Sequence, residues 1–216
     1  MNIGLLGGSF NPVHNAHLAI AREARSFCGL DRVIFIPAAD PPHKPVAGGV
    51  SFACRSHMVR LAIAGSSEFA MSTLEAERSG KSYSVDTIRI FRKQFPDDEL
   101  FFIIGADSFL EIGTWYRYSE IFRSCNLIVA ERPGSSVSAL VDALPDTVRQ
   151  EFNYNHETGR LTHHLGTSVF FVSGTPLDIS STEIRRCAAT GADISAYVPP
   201  DVAAYISQQR IYNTCQ

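Results

Sequence analysis

Two histidines and a glycine pair near the N-terminus are the residues of this sequence best suited to binding phosphate. They lie in the segment Gly7-Gly8-Ser9-Phe10-Asn11-Pro12-Val13-His14-Asn15-Ala16-His17, which follows the apolar run Ile3–Leu6. Paired glycines let backbone N–H groups approach an anion, and a helix start adds unpaired donors and the positive end of the helix dipole. A helix also places His14 and His17 on one face. We predict a polyphosphate site formed by these histidines with Gly7, Gly8, Ser9 and Phe10.

Each feature of this segment has a plainer explanation when it is taken alone. Paired glycines after a strand often form only a tight turn, and a single helical histidine is usually a core or surface residue. The segment lacks the spacing of a P-loop and of the Gly-x-Gly-x-x-Gly dinucleotide motif. A zinc site is disfavoured because no Cys, Asp or Glu stands beside the histidines. The complete string, rather than any part of it, indicates phosphate.

A proline-rich run supplies a candidate cation. The residues Pro37–Pro45 contain four prolines, which exclude a helix and stiffen the chain around His43 and Lys44. A rigid surface loop with an incidental lysine is the alternative. Beside a phosphate-binding turn, we expect Lys44 to face the anion.

A second helix start follows the last predicted strand. Ser180 and Glu183 have the spacing of a capping box, which stabilises a helix start by about 1 kcal/mol. The first turn, which contains Ser181 and Thr182, also offers N–H groups to phosphate. Arg185 lies one turn further along the same face, and its planar guanidinium suits a polyphosphate. Its neighbour Arg186 is expected to face solvent.

Residues suited to a ribose and to a flat ring occur in the middle of the chain. Gly105 and Asp107 follow a buried strand, where an acid either holds a ribose diol or caps a helix. Trp115, the only tryptophan, precedes Tyr116 and is either a core residue or a platform for a heteroaromatic ring. Ser84 lies in a run, 82–86, that is explained adequately as a helix start.

The elements that must position these residues alternate along the chain. Predicted strands are Ile3–Leu6, Arg32–Ile36, Leu100–Ile104, Leu127–Ala130 and Val169–Val172, with a weaker one near Phe69–Leu74. Predicted helices are Ala16–Cys28, Phe52–Gly65, Ser84–Phe95, Tyr118–Ser124, Val137–Gln150, Ser181–Thr190 and Asp201–Gln209. The strands are apolar without alternation, as in a parallel sheet covered on both faces.

This order predicts an α/β fold: a Rossmann-like, doubly wound, mainly parallel sheet with flanking helices and a C-terminal helical segment, in one domain over residues 1–216. Ligands of such sheets bind beyond the carboxyl ends of the strands, where every motif above lies. The polar segment Glu151–Gly166, with His156, His163 and His164, shows no periodicity. We interpret it as a surface excursion rather than a metal site.

Composition excludes several classes of partner. The chain is 45% hydrophobic and 19% charged with a net charge of −3, which gives no support for a nucleic-acid or membrane surface. Five scattered cysteines favour reduced thiols, and no signal peptide or membrane-length apolar run is evident. We therefore expect a cytoplasmic protein. The sequence does not determine the oligomeric state.

Taken together, the motifs resemble those of a known family. The chain is similar to the bacterial nicotinate-nucleotide adenylyltransferases, of the superfamily marked by H-x-G-H. The similarity comprises Gly-Gly-Ser-Phe-Asn-Pro-Val-His-x-x-His, Pro-Pro-His-Lys, Ser-Tyr-Ser-x-Asp-Thr, Ile-Gly-x-Asp-Ser, the Trp115 region, Glu-Arg-Pro-Gly and Ile-Ser-Ser-Thr-x-Ile-Arg. The chain departs from the pattern at Ala16, where the motif has glycine, and at Asp40, where the family often has asparagine. An acid at position 40 would repel phosphate.

The resemblance implies transfer of AMP from ATP to nicotinate mononucleotide, which yields deamido-NAD and pyrophosphate in NAD biosynthesis. It implies that ATP carries Mg²⁺, without a metal site on the protein. The implied catalytic residues are His14, His17, Lys44 and Arg185. The adenylate half would lie against Gly7, Gly8, Ser9, Phe10, Gly105, Asp107, Ser180, Ser181 and Thr182. The acceptor would lie against Ser84, Trp115 and Tyr116, with its phosphate at His43 and Arg132.

Three rival functions are carried forward. Nicotinamide mononucleotide is the nearest alternative acceptor. Another phosphate acceptor, such as phosphopantetheine, fits less well because those relatives are generally shorter and lack Pro-Pro-His-Lys with the tryptophan loop. A non-catalytic nucleotide sensor is disfavoured because sensing alone does not require both histidines and Arg185.

Overall fold

The computed structural model describes residues 1–42, 46–131, 137–155, 157–172 and 179–213. Four residues discussed above, His43, Lys44, Arg132 and His156, lie outside these ranges. Within the described part, no helix is both long enough and apolar enough to cross a membrane.

The fold is an eight-stranded sheet flanked by helices. The strands are β1 (Asn2–Gly8), β2 (Arg32–Pro37), β3 (Phe69–Met71), β4 (Glu99–Gly105), β5 (Asn126–Ala130), β6 (Phe152–Asn155), β7 (Arg160–His163) and β8 (Ser168–Val172). The helices are α1 (Asn15–Cys28), α2 (Phe52–Ile63), α3 (Ser84–Gln94), α4 (Ala106–Leu110), α5 (Tyr118–Ser124), α6 (Val137–Asp142), α7 (Asp146–Arg149), α8 (Ser181–Ala189) and α9 (Pro200–Gln208).

The strand order confirms the predicted doubly wound sheet. From one edge to the other, it is β3-β2-β1-β4-β5-β8-β7-β6. The ladders β1–β4, β4–β5 and β5–β8 are parallel, with Leu6 opposite Ile103 in the first. The chain therefore winds outward from β1 in one direction and from β4 in the other. Between these two strands lies the switch point at which such sheets bind ligands.

The chain divides into two compact units. Unit 1 comprises Met1–Gly7, Ile20–Val33 and Tyr83–Pro176, and unit 2 comprises Gly8–Ala19, Ile34–Ser82 and Leu177–Gln216. The core of unit 1 contains fully buried strand residues such as Ile3, Ile103 and Ile128. That of unit 2 contains Phe10, Phe35 and Val59. The single-domain organisation stays a prediction.

Each of the five main predicted strands is present, and the helix boundaries agree within a few residues. The predicted helix Val137–Gln150 is broken into α6 and α7 by Pro145, which cannot continue a helix from within. The short helix α4 was not predicted.

The segment Glu151–Gly166, interpreted as a surface excursion, contains two strands that were not predicted. Within it, β6 and β7 pair antiparallel, and β7 pairs antiparallel with β8. Side-chain exposure in β6 alternates only between half-buried and exposed, so the strand carries little apolar periodicity. Backbone pairing to the edge strand β8 and the buried side chains of Leu161 and His163 stabilise this hairpin.

Candidate active site

The two histidines form the cap of α1. His14 immediately precedes the helix, and its carbonyl accepts the N–H of His17 at 2.9 Å. In return, the backbone N–H of His14 donates to Nδ1 of His17 at 3.2 Å. This second bond is the one that a Glu or Gln side chain makes in a capping box, at the same spacing. Because Nδ1 accepts, a neutral His17 ring carries its hydrogen on Nε2.

Packing around His17 keeps it neutral. Its ring centroid lies 3.7 Å from that of His14 and 5.0 Å from that of Phe10. Desolvation, followed by the neighbouring His14, lowers the pKa of His17 well below its usual value of 6.5. At neutral pH the ring is therefore a neutral imidazole that carries its hydrogen on Nε2.

The segment near position 185 is brought to the N-terminal motif within unit 2. Nη1 of Arg185 donates to the carbonyl of Asn11 at 2.8 Å, and Nη2 donates to Oγ1 of Thr182 at 3.0 Å. The hydroxyl of Ser181 donates to the carbonyl of Pro12 at 3.1 Å. A guanidinium has five N–H donors, so these two bonds leave others for a phosphate.

The capping box predicted at the start of α8 forms only in half. The hydroxyl of Ser180 accepts the N–H of Glu183 at 3.2 Å, as expected. The Glu183 carboxylate instead pairs with Arg186 at 2.5 Å, which lowers the pKa of Glu183. Arg186 is exposed, as predicted.

The Ser9–Pro12 segment turns its oxygens toward the protein. The carbonyls of Ser9, Asn11 and Pro12 each accept a side-chain donor. Among the residues that the structure describes, the N–H groups of Ser9, Phe10 and Asn11 have no acceptor. Phe10 is buried with a left-handed φ of 46°, a conformation found in the backbone nests that bind anions. This segment therefore presents donors where the sequence predicts a phosphate.

Gly8 is required by the same turn. A Cβ at this position would lie 3.2 Å from the buried ring of Phe10, which would have to shift by a few tenths of an ångström. Gly7, by contrast, is exposed at the end of β1, and a Cβ there would make only ordinary contacts. Of the two glycines, Gly8 carries the steric constraint.

Asp40 does not bring an uncompensated negative charge. Its carboxylate pairs with Nζ of Lys81 at 2.8 Å. The hydroxyl of Ser82 accepts the N–H groups of Ala39 and Asp40, each at 3.0 Å, and the N–H of Ser82 donates to the carbonyl of Asp40. Ser82 thus fixes the loop that leads to Pro-Pro-His-Lys and is not part of a helix start.

The predicted acceptor residues lie in unit 1. Helix α3 begins at Ser84, and the rings of Tyr83 and Tyr116 are 4.5 Å apart. The Trp115 ring meets Phe102 edge-on at 6.4 Å and is half-buried, so packing explains part of its environment. Tyr116 therefore packs beside the start of α3, and its contact with the acceptor stays a prediction.

The start of α3 retains its attraction for an anion. Asp86, in its first turn, pairs with Arg89 at 3.0 Å. Arg89 also pairs with Glu120, and that pairing lowers the pKa of the Glu120 carboxyl. Because the acid is neutralised locally, the N–H groups of the first turn keep their positive character.

Gly105 is the N-cap of α4, so Asp107 does not cap that helix. A Cβ at Gly105 would meet nothing within 4 Å. Asp107 is the second residue of α4 and is exposed. The capping alternative is therefore wrong, while a contact of Asp107 with ribose stays a prediction.

One cluster has the composition of a metal site. The candidate ligand atoms of Glu151, His163 and His164 lie within 4.8 Å of one another, the one such group among the described residues. However, Nδ1 of His163 accepts the N–H of Leu165 at 3.1 Å, and Nε2 contacts Glu151 at 2.7 Å. A ligating Nε2 would require a hydrogen on Nδ1, directed at the Leu165 donor. The geometry fits a structural hydrogen bond rather than a metal.

Two residues of the site were missed from the sequence. Arg55 and Tyr212 both donate hydrogen bonds to the Ser9–Pro12 segment. One signal for Arg55 was available, because it lies three and four residues before Met58 and Val59 and so occupies the buried face of α2. Tyr212 gave no signal, since it follows the last helix without a motif.

Comparison with known proteins agrees with this geometry. The cytidylyltransferase-like family model matches residues 5–187. A Pelobacter propionicus protein named a probable nicotinate-nucleotide adenylyltransferase is 60% identical over 215 residues, covering 100% of both chains. One with the same name from Geobacter sulfurreducens is 55% identical over 212 residues, covering 98% of each. These relatives confirm the resemblance that the motifs indicated.

A solved structure shares the fold. It is that of Plasmodium falciparum nicotinic acid mononucleotide adenylyltransferase complexed with NaAD, with a TM-score of 0.76 and 19% sequence identity. The alignment covers 98% of this chain and 97% of that one. At this identity, the similarity is evidence of the fold alone, and it confirms the predicted Rossmann-like architecture.

Proposed function

The chain belongs to the nicotinate-nucleotide adenylyltransferases of the cytidylyltransferase-like family, and from this we propose how its residues perform the reaction. AMP passes from ATP to the phosphate of nicotinate mononucleotide, and pyrophosphate leaves. One observation supports the assignment of the site: Nη1 of Arg185 donates a hydrogen bond to the carbonyl of Asn11. This contact brings the last family motif against the first, although the two residues are 174 positions apart.

The chemistry needs position and charge rather than a protein base. The acceptor phosphate is already anionic and attacks the α-phosphorus of ATP in line, so no covalent intermediate is required. Catalysis then rests on alignment of the reactants and on fixed donors that match the charge developing on the transferred phosphoryl group.

The residues that we assign to the phosphates of ATP belong to unit 2. His17 donates from Nε2, and His14 lies beside it on the same cap. The N–H groups of Ser9, Phe10 and Asn11 bind phosphate oxygens, and the remaining donors of Arg185 neutralise the leaving pyrophosphate. The first turn of α8, from Ser181 and Thr182, adds further N–H groups. The family motif assigns Lys44 to the same charge and His43 to the mononucleotide phosphate.

The residues that we assign to the pyridine ring and carboxylate of the acceptor belong to unit 1. The pyridine ring stacks on the aromatic side chains around Trp115 and Tyr116, and its carboxylate meets the N–H groups at the start of α3, near Ser84. A helix start favours an anion over a neutral amide, which is the physical reason to prefer nicotinate over nicotinamide. Gly105 and Asp107 hold the adenylate ribose, and Arg132 follows β5 as a further phosphate ligand by motif alone.

Mg²⁺ enters this proposal as part of the substrate. The side chains that donate to the Ser9–Pro12 segment are the guanidiniums of Arg55 and Arg185 and the hydroxyls of Ser181 and Tyr212. None of them is a carboxylate, whereas Mg²⁺ prefers carboxylate and phosphate oxygens. These residues do not fit a protein-held ion. ATP, with its own oxygens and water, would carry the metal.

The scattered cysteines further favour a cytoplasmic enzyme.

Pyrophosphate release tests the proposal. The protein is incubated with ATP, Mg²⁺ and, in separate reactions, nicotinate mononucleotide, nicotinamide mononucleotide or phosphopantetheine. We expect the highest kcat/KM with nicotinate mononucleotide, and deamido-NAD as the second product by chromatography. A higher kcat/KM with another acceptor would reassign the substrate. ATP binding without product from any acceptor would favour the sensor.

A further inference from the structure

The Ser9–Pro12 segment accepts hydrogen bonds from two residues, Arg55 and Tyr212, that the sequence motifs did not assign to any substrate. Nη1 of Arg55 donates to the carbonyl of Ser9 at 2.7 Å. The hydroxyl of Tyr212 donates to Oδ1 of Asn11 at 2.8 Å, across 201 residues of sequence. All four residues belong to unit 2.

Asn11 links these contacts to Arg185. Its Nδ2 donates to the carbonyl of Ala47 at 2.8 Å while its Oδ1 accepts Tyr212, so the amide is fixed at both ends. Its backbone carbonyl accepts Nη1 of Arg185. Asn11, which is 4% exposed, therefore connects Tyr212 to the guanidinium of Arg185. A substitution at Tyr212 would act on Arg185 through this one residue.

Burial of the Arg55 guanidinium costs desolvation free energy. It is 1% exposed, its guanidinium lies 5.7 Å from the ring of Phe52, and its Nε has no hydrogen-bond partner within the described part of the chain. Desolvation lowers its pKa, the neighbouring Tyr212 and Glu75 act in the opposite direction, and an arginine remains a cation at neutral pH. The buried Glu75 partly offsets the charge of Arg55, and an anion bound at the Ser9–Pro12 segment would add a further favourable interaction.

Tyr212 reaches Asn11 through a bent chain end. After α9, Arg210 and Tyr212 have left-handed φ angles of 49° and 74°. Non-glycine residues adopt this region only when their surroundings compensate for it. The hydrogen bond from the Tyr212 hydroxyl to Asn11 is one of the contacts that the chain makes in this conformation.

We propose that Tyr212 and Arg55 are positioning residues, which hold the oxygens of the Ser9–Pro12 segment so that its N–H groups and Arg185 meet the triphosphate of ATP. This inference rests on the function proposed above. Neither residue touches the reacting atoms, and each acts through the segment. The effect of removing either one falls on ATP and not on the acceptor.

The test measures the Kd of a non-hydrolysable ATP analogue by calorimetry, together with the KM values for ATP and nicotinate mononucleotide. Tyr212→Phe removes one neutral hydrogen bond, so we expect a Kd about 3- to 10-fold higher. Arg55→Met removes a charged one, for which we expect about 10- to 100-fold. Arg55→Lys keeps the cation and should restore part of that loss. The KM for nicotinate mononucleotide stays near the wild-type value.

Tyr205→Phe is the matched control. Tyr205 lies on α9 in the same unit, and its ring packs on His57 rather than on the Ser9–Pro12 segment. We expect its analogue Kd to equal that of the wild type. An unchanged Kd in Tyr212→Phe, or equal shifts of both KM values with a lower unfolding midpoint, would overturn the inference.

The two proposals fail in different ways. If the wild-type chain binds the analogue but releases no pyrophosphate with nicotinate mononucleotide, the proposed function fails while the Kd comparison still decides the roles of Tyr212 and Arg55. If it turns over normally and Tyr212→Phe and Arg55→Lys both bind the analogue as the wild type does, only the inference fails. Should Arg55→Met fail to fold, these two milder variants still decide the matter.

Discussion

His17 closes the first turn of α1 by accepting the backbone N–H of His14 at Nδ1, 3.2 Å away. The spacing of the two histidines is therefore that of an N-cap and the third helical residue. The same bond that stabilises the helix fixes the tautomer of His17, and so leaves Nε2–H as the donor. The His17 ring therefore combines a structural role at Nδ1 with the proposed phosphate contact at Nε2.

Three substitutions at His17 separate these two roles. His17→Ala removes both, so we expect unfolding free energy to fall by about 1 kcal/mol and kcat to fall by about 10²- to 10³-fold. His17→Gln retains an acceptor for the cap and a donor for phosphate, so stability is kept and activity falls least. His17→Glu keeps the cap but offers no donor, so stability is kept and activity is lost.

Chemical denaturation and pyrophosphate release measure the two effects side by side. Equal activity in the Gln and Glu variants would contradict a donor role for Nε2, and a stable His17→Ala variant would contradict the cap.

The lowered pKa of His17 predicts a pH dependence of stability. The unfolded chain binds a proton at His17 below about pH 6.5, whereas the folded chain resists it. The free energy of unfolding should therefore be complete above about pH 6.5, the pKa of the unfolded chain. It should fall as the pH drops from there toward the lower pKa of the folded chain. Denaturation at pH 7.5, 6.0 and 5.0 measures this, and His17→Gln should flatten the slope. An NMR titration in which His17 changes charge near pH 6.5 would refute the prediction.

The sequence was most informative where one residue pattern implies one local geometry. The unbroken apolar strands predicted the parallel sheet because burial on both faces leaves no polar alternation. Ser180 and Glu183 predicted the start of α8 because capping is local, although the Glu183 side chain turns to Arg186 instead.

Features that depend on distant partners were not readable in advance. Asp40 looked unfavourable until Lys81, 41 residues away, proved to neutralise it. The hairpin β6–β7 gains its pairing from β8, and Tyr212 gains its role from Asn11. In each case the decisive neighbour is set by the fold, and a linear pattern does not contain it.

Ala16, which replaces the glycine of the family motif, should contribute stability and not activity. It is the second residue of α1 and is 7% exposed. Ala16→Gly gives the backbone more freedom to lose on folding, so we expect a loss of about 0.5–1 kcal/mol and a midpoint lower by about 1–4 °C.

Ala24→Gly, also in α1 and 1% exposed, is the comparison for helix propensity two turns away from His17. Comparable losses of stability, with the KM for ATP unchanged in Ala16→Gly, are the expected outcome. A marked fall in that KM would instead show that the Ala16 methyl obstructs the nucleotide.

The final prediction concerns Glu151 and His163, which we interpret as a hydrogen-bonded pair that stabilises the fold. Glu151 accepts Arg123 at 2.7 Å and His163 at 2.7 Å, and the His163 ring is fully buried. Glu151→Ala leaves the buried His163 nitrogen without its partner, so we expect a loss of about 1–3 kcal/mol. Arg123→Ala removes only a half-exposed ion pair and should lose about 0–1 kcal/mol. Because Nδ1 of His163 faces the Leu165 donor, zinc should leave the wild-type melting temperature unchanged. A zinc-dependent rise that chelation reverses and Glu151→Gln abolishes would make this cluster a metal site.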